Sequence, residues 1–275
     1  MSRFLGQVLG TSRSRGILAS LARVEAPAVM DPTSSFPVVL RKAVGARVQD
    51  VDGNRYIDLT GFFGVALVGH RNRAVTQALR TQAGRLVHGM GDVHPSERKA
   101  AFLAAIAARM PAPDYRGLLS LNGADAVDCA LKFAAAAMGR AGFVAFEGAY
   151  HGLSTGALEA THNPIFRAPF QPVLAGRATF LPFPATDGSD ADRVLAAAEE
   201  AFASGRIGAV LFEPIQGRGG FRVPPPGFLA ALCAAAARAG VATIADEIYT
   251  GCGRTGAFLA STAAGVVPDV VCLGK

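Results

Sequence analysis

Residues 227–256 read GFLAALCAAAARAGVATIADEIYTGCGRTG, and the reading of this run decides the fold. Its first part, GFLAALCAAAARAG, carries apolar residues at helical spacing until Arg238 and Gly240 break the pattern. VATIADE follows as a short, continuously apolar run, the signature of a strand buried on both faces. The same alternation extends on either side. GFVAFE, ATFLPF, GAVLFEPI and DVVCLG read as further buried strands, and DADRVLAAAEEAFAS as a helix. Strand, helix, strand in that order predicts parallel pairing with right-handed crossovers, and so an open α/β sheet from about residue 142 onward.

Ahead of that sheet, SERKAAFLAAIAARM and ADAVDCALKFAAAAMG predict two helices, the second beginning just after Asn122 and Gly123. LRKAVGARVQDVDGNRYIDL alternates and turns at Asp52 and Gly53, as a small antiparallel hairpin does, and is expected to sit apart from the main sheet. Neither an internal repeat nor a low-complexity tract interrupts the chain.

The 275 residues, 51% hydrophobic and 17% charged, suffice for a large core in one big domain or two small ones. The net charge of +6 comes from arginines scattered singly, with no dense basic block beside interleaved aromatics, which argues against a nucleic-acid partner. Cys129, Cys233, Cys252 and Cys272 stand far apart, so neither a zinc site nor a disulfide framework is expected, and a reducing compartment fits. Arg238 and Gly240 interrupt the longest apolar run, so no membrane span is expected. The start is rich in arginine (Arg3, Arg13, Arg15, Arg23) with no acid before Glu25. That composition suits a mitochondrial presequence, a flexible arm, or an arm packed on a partner subunit.

The end of the opening run, Gly251 to Gly256, matches the dinucleotide pattern G-x-G-x-x-G. A nucleotide loop needs its glycines directly after the strand and opening a helix. Here DEIYT intervenes, its two acids would repel a phosphate, and AFLASTAAG is a poor helix. The pattern is therefore read as a loop.

Ligands of open α/β sheets collect beyond the carboxyl ends of the strands. Residues 147–151, 213–217 and 246–250, with Lys275, fall there. A buried carboxylate at Asp246 is costly unless paired, and a protonated ring nitrogen is one such partner. The plainer alternative is that Asp246 or Glu247 caps a loop or pairs with Arg254. Asn122, Gly123 and Ala124 open a helix whose first amides could take a phosphate; an ordinary asparagine cap, with Asp125 and Asp128 favouring the helix dipole, is compatible with this. Tyr150 could lie flat on a planar ligand, and His151 beside it has no second histidine at metal-ligand spacing, so no metal is expected. Lys275, after a buried strand, could act as a nucleophilic amine. Together these are the parts that pyridoxal phosphate requires.

The ordered blocks KAVGARVQDVDGNRYIDL, GFFGVALVGH, LNGADAVDCALKFA, FEGAYHG, FEPIQGRGGFRVPPPGFL, ADEIYTGCGRTG and PDVVCLGK, from Leu40 to the last residue, resemble the class III pyridoxal-phosphate-dependent aminotransferases, the group of ornithine, acetylornithine and 4-aminobutyrate aminotransferases. The resemblance implies a fold type I large domain, mostly parallel sheet with helices on both faces, over residues 65–275. It further implies the N-terminal part of a small domain over 40–64 and an arm over 1–39. Lys275 and Asp246 would be catalytic, Lys275 through a Schiff base to the cofactor and Asp246 on its ring nitrogen. Ile248 would press on one ring face and Tyr150 stack on the other. Gly123 and Ala124 would hold the phosphate, with His151, Glu213 and Tyr249 completing the cofactor site and no metal.

The implied reaction moves an amino group from an amine or ω-amino acid to a 2-oxo acid; a decarboxylase or aminomutase on the same scaffold, or a non-catalytic binding or oligomerisation module, stands as the alternative. The implied setting is a cytoplasmic homodimer with small-molecule partners, neither nucleic acid nor membrane, or the mitochondrial matrix if the start is a presequence. Asp125, Tyr249 and Arg218 depart from the family's usual Glu, Gln and, after EPIQG, acid. The last departure puts the family's substrate switch in doubt. Because the family continues well past its lysine, a fragment or truncated product is expected.

Overall fold

The computed structural model describes residues 12–26, 38–91 and 93–275, which form two compact units, residues 1–89 and 90–275. The expected arm falls largely outside the described residues, apart from a helix, α1 (Ser12–Val24), whose Ser14 hydroxyl donates to Asp52. Three short strands, β1 (Leu40–Val44), β2 (Arg47–Asp50) and β3 (Arg55–Ile57), pair antiparallel in that order. The turn after β2 forms as predicted. The Asp50 carboxylate accepts from the amides of Asp52 at 3.0 Å and Asn54 at 2.8 Å and from the Tyr56 hydroxyl at 2.8 Å, while Gly53 takes φ +93°.

The first unit runs past the expected boundary at residues 64/65. His70 is the reason: its amide and carbonyl exchange 2.8 Å hydrogen bonds with Gly45, and its Nε2 lies 2.7 Å from Asp58 Oδ2. These bonds tie residues 58–70 to the hairpin. Helix α2 (Arg73–Ala83), capped by Asn72 Oδ1, completes the unit.

In the second unit, α3 (Glu97–Ala107) and α4 (Gly123–Met138) occupy the two predicted helical runs, capped by Ser96 and Asn122, and Gly139 ends α4 at φ +64°. The chain then alternates β4 (Gly142–Phe146), α5 (Thr155–Ala160), α6 (Pro164–Arg167), β5 (Ala178–Leu181), α7 (Ala191–Ala203), β6 (Ile207–Phe212), α8 (Phe228–Arg238), β7 (Ala242–Asp246), α9 (Ala260–Ala263) and β8 (Val270–Cys272). All five strands are parallel, in the order β5-β4-β6-β7-β8. After β5 the chain returns past β4 to start β6, so the strand order reverses between β4 and β6, where such sheets open a crevice.

Alternate residues of each strand serve two cores. Val144, Phe146, Val210, Phe212 and Ala245 pack with Val194, Phe202, Phe228 and Leu232 of α7 and α8. Phe143, Ala145, Ala209, Leu211 and Ile244 pack with Val127, Leu131 and Ala157 of α4 and α5. Both faces are thus apolar, which explains why the strands read as continuous hydrophobic runs. Truncating a fully enclosed ring such as Phe212 to alanine costs about 3–5 kcal/mol in such a core.

Candidate active site

Every sequence-predicted site residue lies in the second unit, at the start of α4 or at the carboxyl end of a strand. Asp246 closes β7 level with Cys272 of β8, and Lys275 follows after Leu273 and Gly274. Asp246, only 5% exposed, accepts from Ile248 N at 3.0 Å through Oδ1, and its Oδ2 lies 2.7 Å from His151 Nδ1. The loop after β4 carries His151 across β6 to reach it. That loop is pinned: His151 N donates to Thr161 Oγ1 at 2.9 Å, and the same hydroxyl donates to Gly152 O at 2.9 Å. The imidazole is enclosed, and its Nε2 has no hydrogen-bond partner among the described residues. Burial opposes its protonation, but the hydrogen bond and charge of Asp246, with Glu213 adding, hold its pKa above the ordinary 6.5.

Glu213, the first residue past β6, joins this group. Burial pushes its carboxyl up to about 7; the attraction of His151 works against that rise and the charge of Asp246 adds to it. It accepts from Tyr150 N at 3.3 Å and Gly217 N at 3.2 Å, which draws the loops after β4 and β6 together.

Missing side chains connect the remaining residues. A Cβ on Gly123 would stand 2.9 Å from Ile248 Cδ1, and one on Gly274 3.1 Å from Ile248 Cγ2. Ile248 therefore fits between the start of α4 and the residue preceding Lys275 because both neighbours are glycine. Gly152, at φ +122°, leaves only 2.5 Å between a built Cβ and that of Ala124, and Gly217 lies against the Tyr249 ring. Lys275 is exposed, with its Nζ 5.2 Å from the centroid of that ring.

The start of α4 is built by reciprocal capping. Asn122 Oδ1 accepts from Asp125 N at 3.0 Å, and Asp125 Oδ2 accepts from Leu121 N at 2.8 Å. The amides of Gly123 and Ala124 lie in the first turn, where a helix offers no carbonyl, and so face outward as anion donors. Asp128 turns away from its own helix: its Oδ1 lies 2.5 Å from where a Cβ on Gly156 of α5 would stand.

Glu247 takes the plainer of the roles weighed for the two acids. Fully buried, it accepts from Ser261 N and Oγ, each at 2.6 Å, from Ala260 N at 3.1 Å and from Thr250 Oγ1. The glycine-rich loop it anchors folds on itself, Arg254 N donating to Gly251 O and Gly256 N to Gly253 O, and no helix starts before Ala260. It is a bracket between β7 and α9. Among the described residues no group of three His, Cys, Asp or Glu side chains is placed to hold a metal ion, and no helix is long and apolar enough to cross a membrane.

Sequence reasoning missed three things here: the His151–Asp246 pair, the glycine contacts of Ile248, and Arg218 lying over the rings of Tyr150 and Phe166. The clue to the first was present, since both residues stand just past strand ends.

Residues 29–275 match the family model described as aminotransferase class-III. The chain is 38% identical over 246 residues to the acetylornithine aminotransferase of Methanopyrus kandleri, covering 90% of this chain and 60% of that protein. It is 39% identical over 262 residues to the adenosylmethionine-8-amino-7-oxononanoate aminotransferase of Synechococcus elongatus, with the same two shares. Among solved structures, it matches a thermostable (S)-enantioselective omega-transaminase from Thermomicrobium roseum with TM-score 0.87 and 28% identity, over 95% of this chain and 63% of the other. The ornithine aminotransferase of Toxoplasma gondii matches with TM-score 0.82 and 28% identity, over 98% and 61%. The chain thus spans about three fifths of the length of the curated relatives it matches, and it belongs to the aminotransferase class-III family.

Proposed function

We propose that the protein acts as a pyridoxal-phosphate-dependent aminotransferase, moving an amino group from an amine or ω-amino acid to a 2-oxo acid. The observation that carries this reading is Asp246. It is a buried carboxylate whose two oxygens meet one amide and one imidazole, at the mouth of a parallel sheet and beside the strand that leads to Lys275. A carboxylate has about four acceptor positions, so capacity remains for a ring N–H⁺. The amides at the start of α4 suit a phosphate, and Ile248, held between two glycines, suits one face of a flat ring.

On this reading Asp246 holds the ring nitrogen protonated, with His151 behind it. Gly123 and Ala124 donate to the phosphate, while Ile248 and Tyr150 press the two ring faces. Tyr249 offers its hydroxyl to the ring oxygen, and Glu213 keeps the loops that carry Tyr150 and Gly217 in register. When bound, the cofactor supplies an electron sink for the carbon that exchanges its amino group. Lys275 Nζ would hold the cofactor covalently and, once displaced by the incoming amine, would as a free amine move the proton at that carbon. The named aminotransferases among the relatives support transamination over decarboxylation or isomerisation.

All of this chemistry is assigned to a large domain that contains the second unit, with residues 40–64 as part of a small domain. Large apolar side chains left exposed, among them Leu59, Phe63 and Leu121, support a homodimer that covers them, and the four free cysteines support the cytoplasm.

The test is covalent. After incubation with pyridoxal phosphate and borohydride reduction, peptide mass mapping is expected to find the adduct on Lys275 and to lose it in Lys275→Ala. An adduct of unchanged yield in that variant overturns the assignment.

A further inference from the structure

Arg218 and Arg222 lie four residues apart on the loop after β6, and the contrast between them is informative. Arg222 is structural: Nη2 donates to Phe183 O at 2.9 Å, and Nη1 reaches Gln216 Oε1 at 3.4 Å and Glu147 O at 3.5 Å. Arg218 lies with its Cζ 4.6 Å from the Tyr150 ring centroid and 4.8 Å from that of Phe166, yet it makes no ion pair among the described residues and its guanidinium donates no hydrogen bond to them. The two rings meet at 66°, so a guanidinium can lie face-on over one of them only, and the N–H groups directed away from the other remain to match a carboxylate.

The side chain is also beside the site. Tyr150 and Gly217, on either side of it, both donate to Glu213, and Gly217 packs on Tyr249. A cation beside two aromatic rings, with its donors uncommitted, suits an incoming anion and offsets the repulsion that Asp246 and Glu213 exert on one.

We infer that Arg218 binds a substrate carboxylate, so that the protein selects carboxylate-bearing substrates, 2-oxo acids above all, over plain amines at that subsite. This rests on the aminotransferase reading for the reaction, but not for the binding. Every 2-oxo acid brings the carboxylate that the fork requires.

Glutarate, which has neither amino nor keto group to react, is the probe, titrated calorimetrically into the wild-type chain and into Arg218→Gln and Arg218→Lys. Binding is expected to weaken at least about tenfold in Arg218→Gln and by less in Arg218→Lys, which keeps the charge and loses the fork. In parallel, the KM for 2-oxoglutarate rises with kcat little changed, while the KM for 1-phenylethylamine as donor stays within about twofold. Cofactor loading, read by absorbance, stays at the wild-type level in both variants and shows that they are folded. Equal glutarate affinity in all three proteins, or no binding by the wild type, overturns the inference. Failure of the Lys275 adduct with arginine-dependent glutarate binding intact would overturn the reaction while leaving this subsite standing.

Discussion

Asp246 and Glu247 are adjacent acids at one strand end, and their surroundings give them opposite duties. Glu247 is surrounded by protein donors: two amides and two hydroxyls fill its oxygens. Asp246 has one amide and one imidazole. Removing an acceptor strands each buried donor at about 1–3 kcal/mol apiece. Glu247→Ala should therefore lower the unfolding free energy by at least about 3 kcal/mol, reduced only where water enters. Asp246→Ala leaves a single amide and a buried ring nitrogen without a partner, half as many groups as Glu247→Ala, and should cost about half as much. For cofactor affinity the order reverses, with a loss of at least about tenfold in Asp246→Ala because the ring N–H⁺ loses its counter-charge. Urea unfolding and absorbance titration with pyridoxal phosphate read the two effects. If both variants rank the same way in both assays, the division of labour is wrong.

At the level of elements, the site depends on how closely the loop after β4 approaches the start of α4. Gly152 makes that approach, since a methyl there would meet Ala124 at 2.5 Å with the backbone already at φ +122°. Gly152→Ala is expected to cost about 2 kcal/mol or more and, because it pushes the α4 amides out of place, to weaken cofactor binding as well. Gly139→Ala is the control. It also has a positive φ, at the other end of α4, but its Cβ would meet nothing within 4 Å, so about 1 kcal/mol of stability should be lost with cofactor affinity unchanged. Asn122→Ala should cost about 1 kcal/mol through loss of the cap to Asp125. Calorimetric melting with and without pyridoxal phosphate separates the three variants, and a cofactor-dependent loss in Gly139→Ala would contradict the proposed role of the helix start.

Across the whole molecule, the strands of the main sheet and helices α3, α4, α7 and α8 were legible because parallel strands buried on both faces must be apolar throughout and the helices that cover them amphipathic, whereas α1, α2, α5, α6 and α9 went unread. The candidate site was legible as a set of strand ends, since topology alone brings residues 147–151, 213–217 and 246–250 to one edge of the sheet. What the sequence does not contain is lateral register. His151 meets Asp246 across an intervening strand, Ile248 depends on glycines in two distant segments, and residues 58–70 are tied to the hairpin by the bonds of His70 to Gly45 and Asp58. The burial of three ionisable groups together also leaves a global signature. Glu213 titrates at about 7 in the folded chain against an ordinary 4.5, so the folded state keeps a proton that the unfolded chain releases. Its stabilising contribution is complete below about pH 4.5 and disappears as pH rises through 7. His151, also raised, contributes in the same direction and loses its contribution as pH rises through its own folded value. Glu213→Gln keeps the shape and cannot titrate. The unfolding free energy of the wild type minus that of the variant should therefore fall by up to about 3 kcal/mol between pH 4.5 and 7 and level off above about 8, while carboxylates elsewhere cancel in the difference. Urea midpoints in steps of half a pH unit suffice to trace it, and a flat difference would mean that Glu213 is solvated and the three groups do not share one buried pocket.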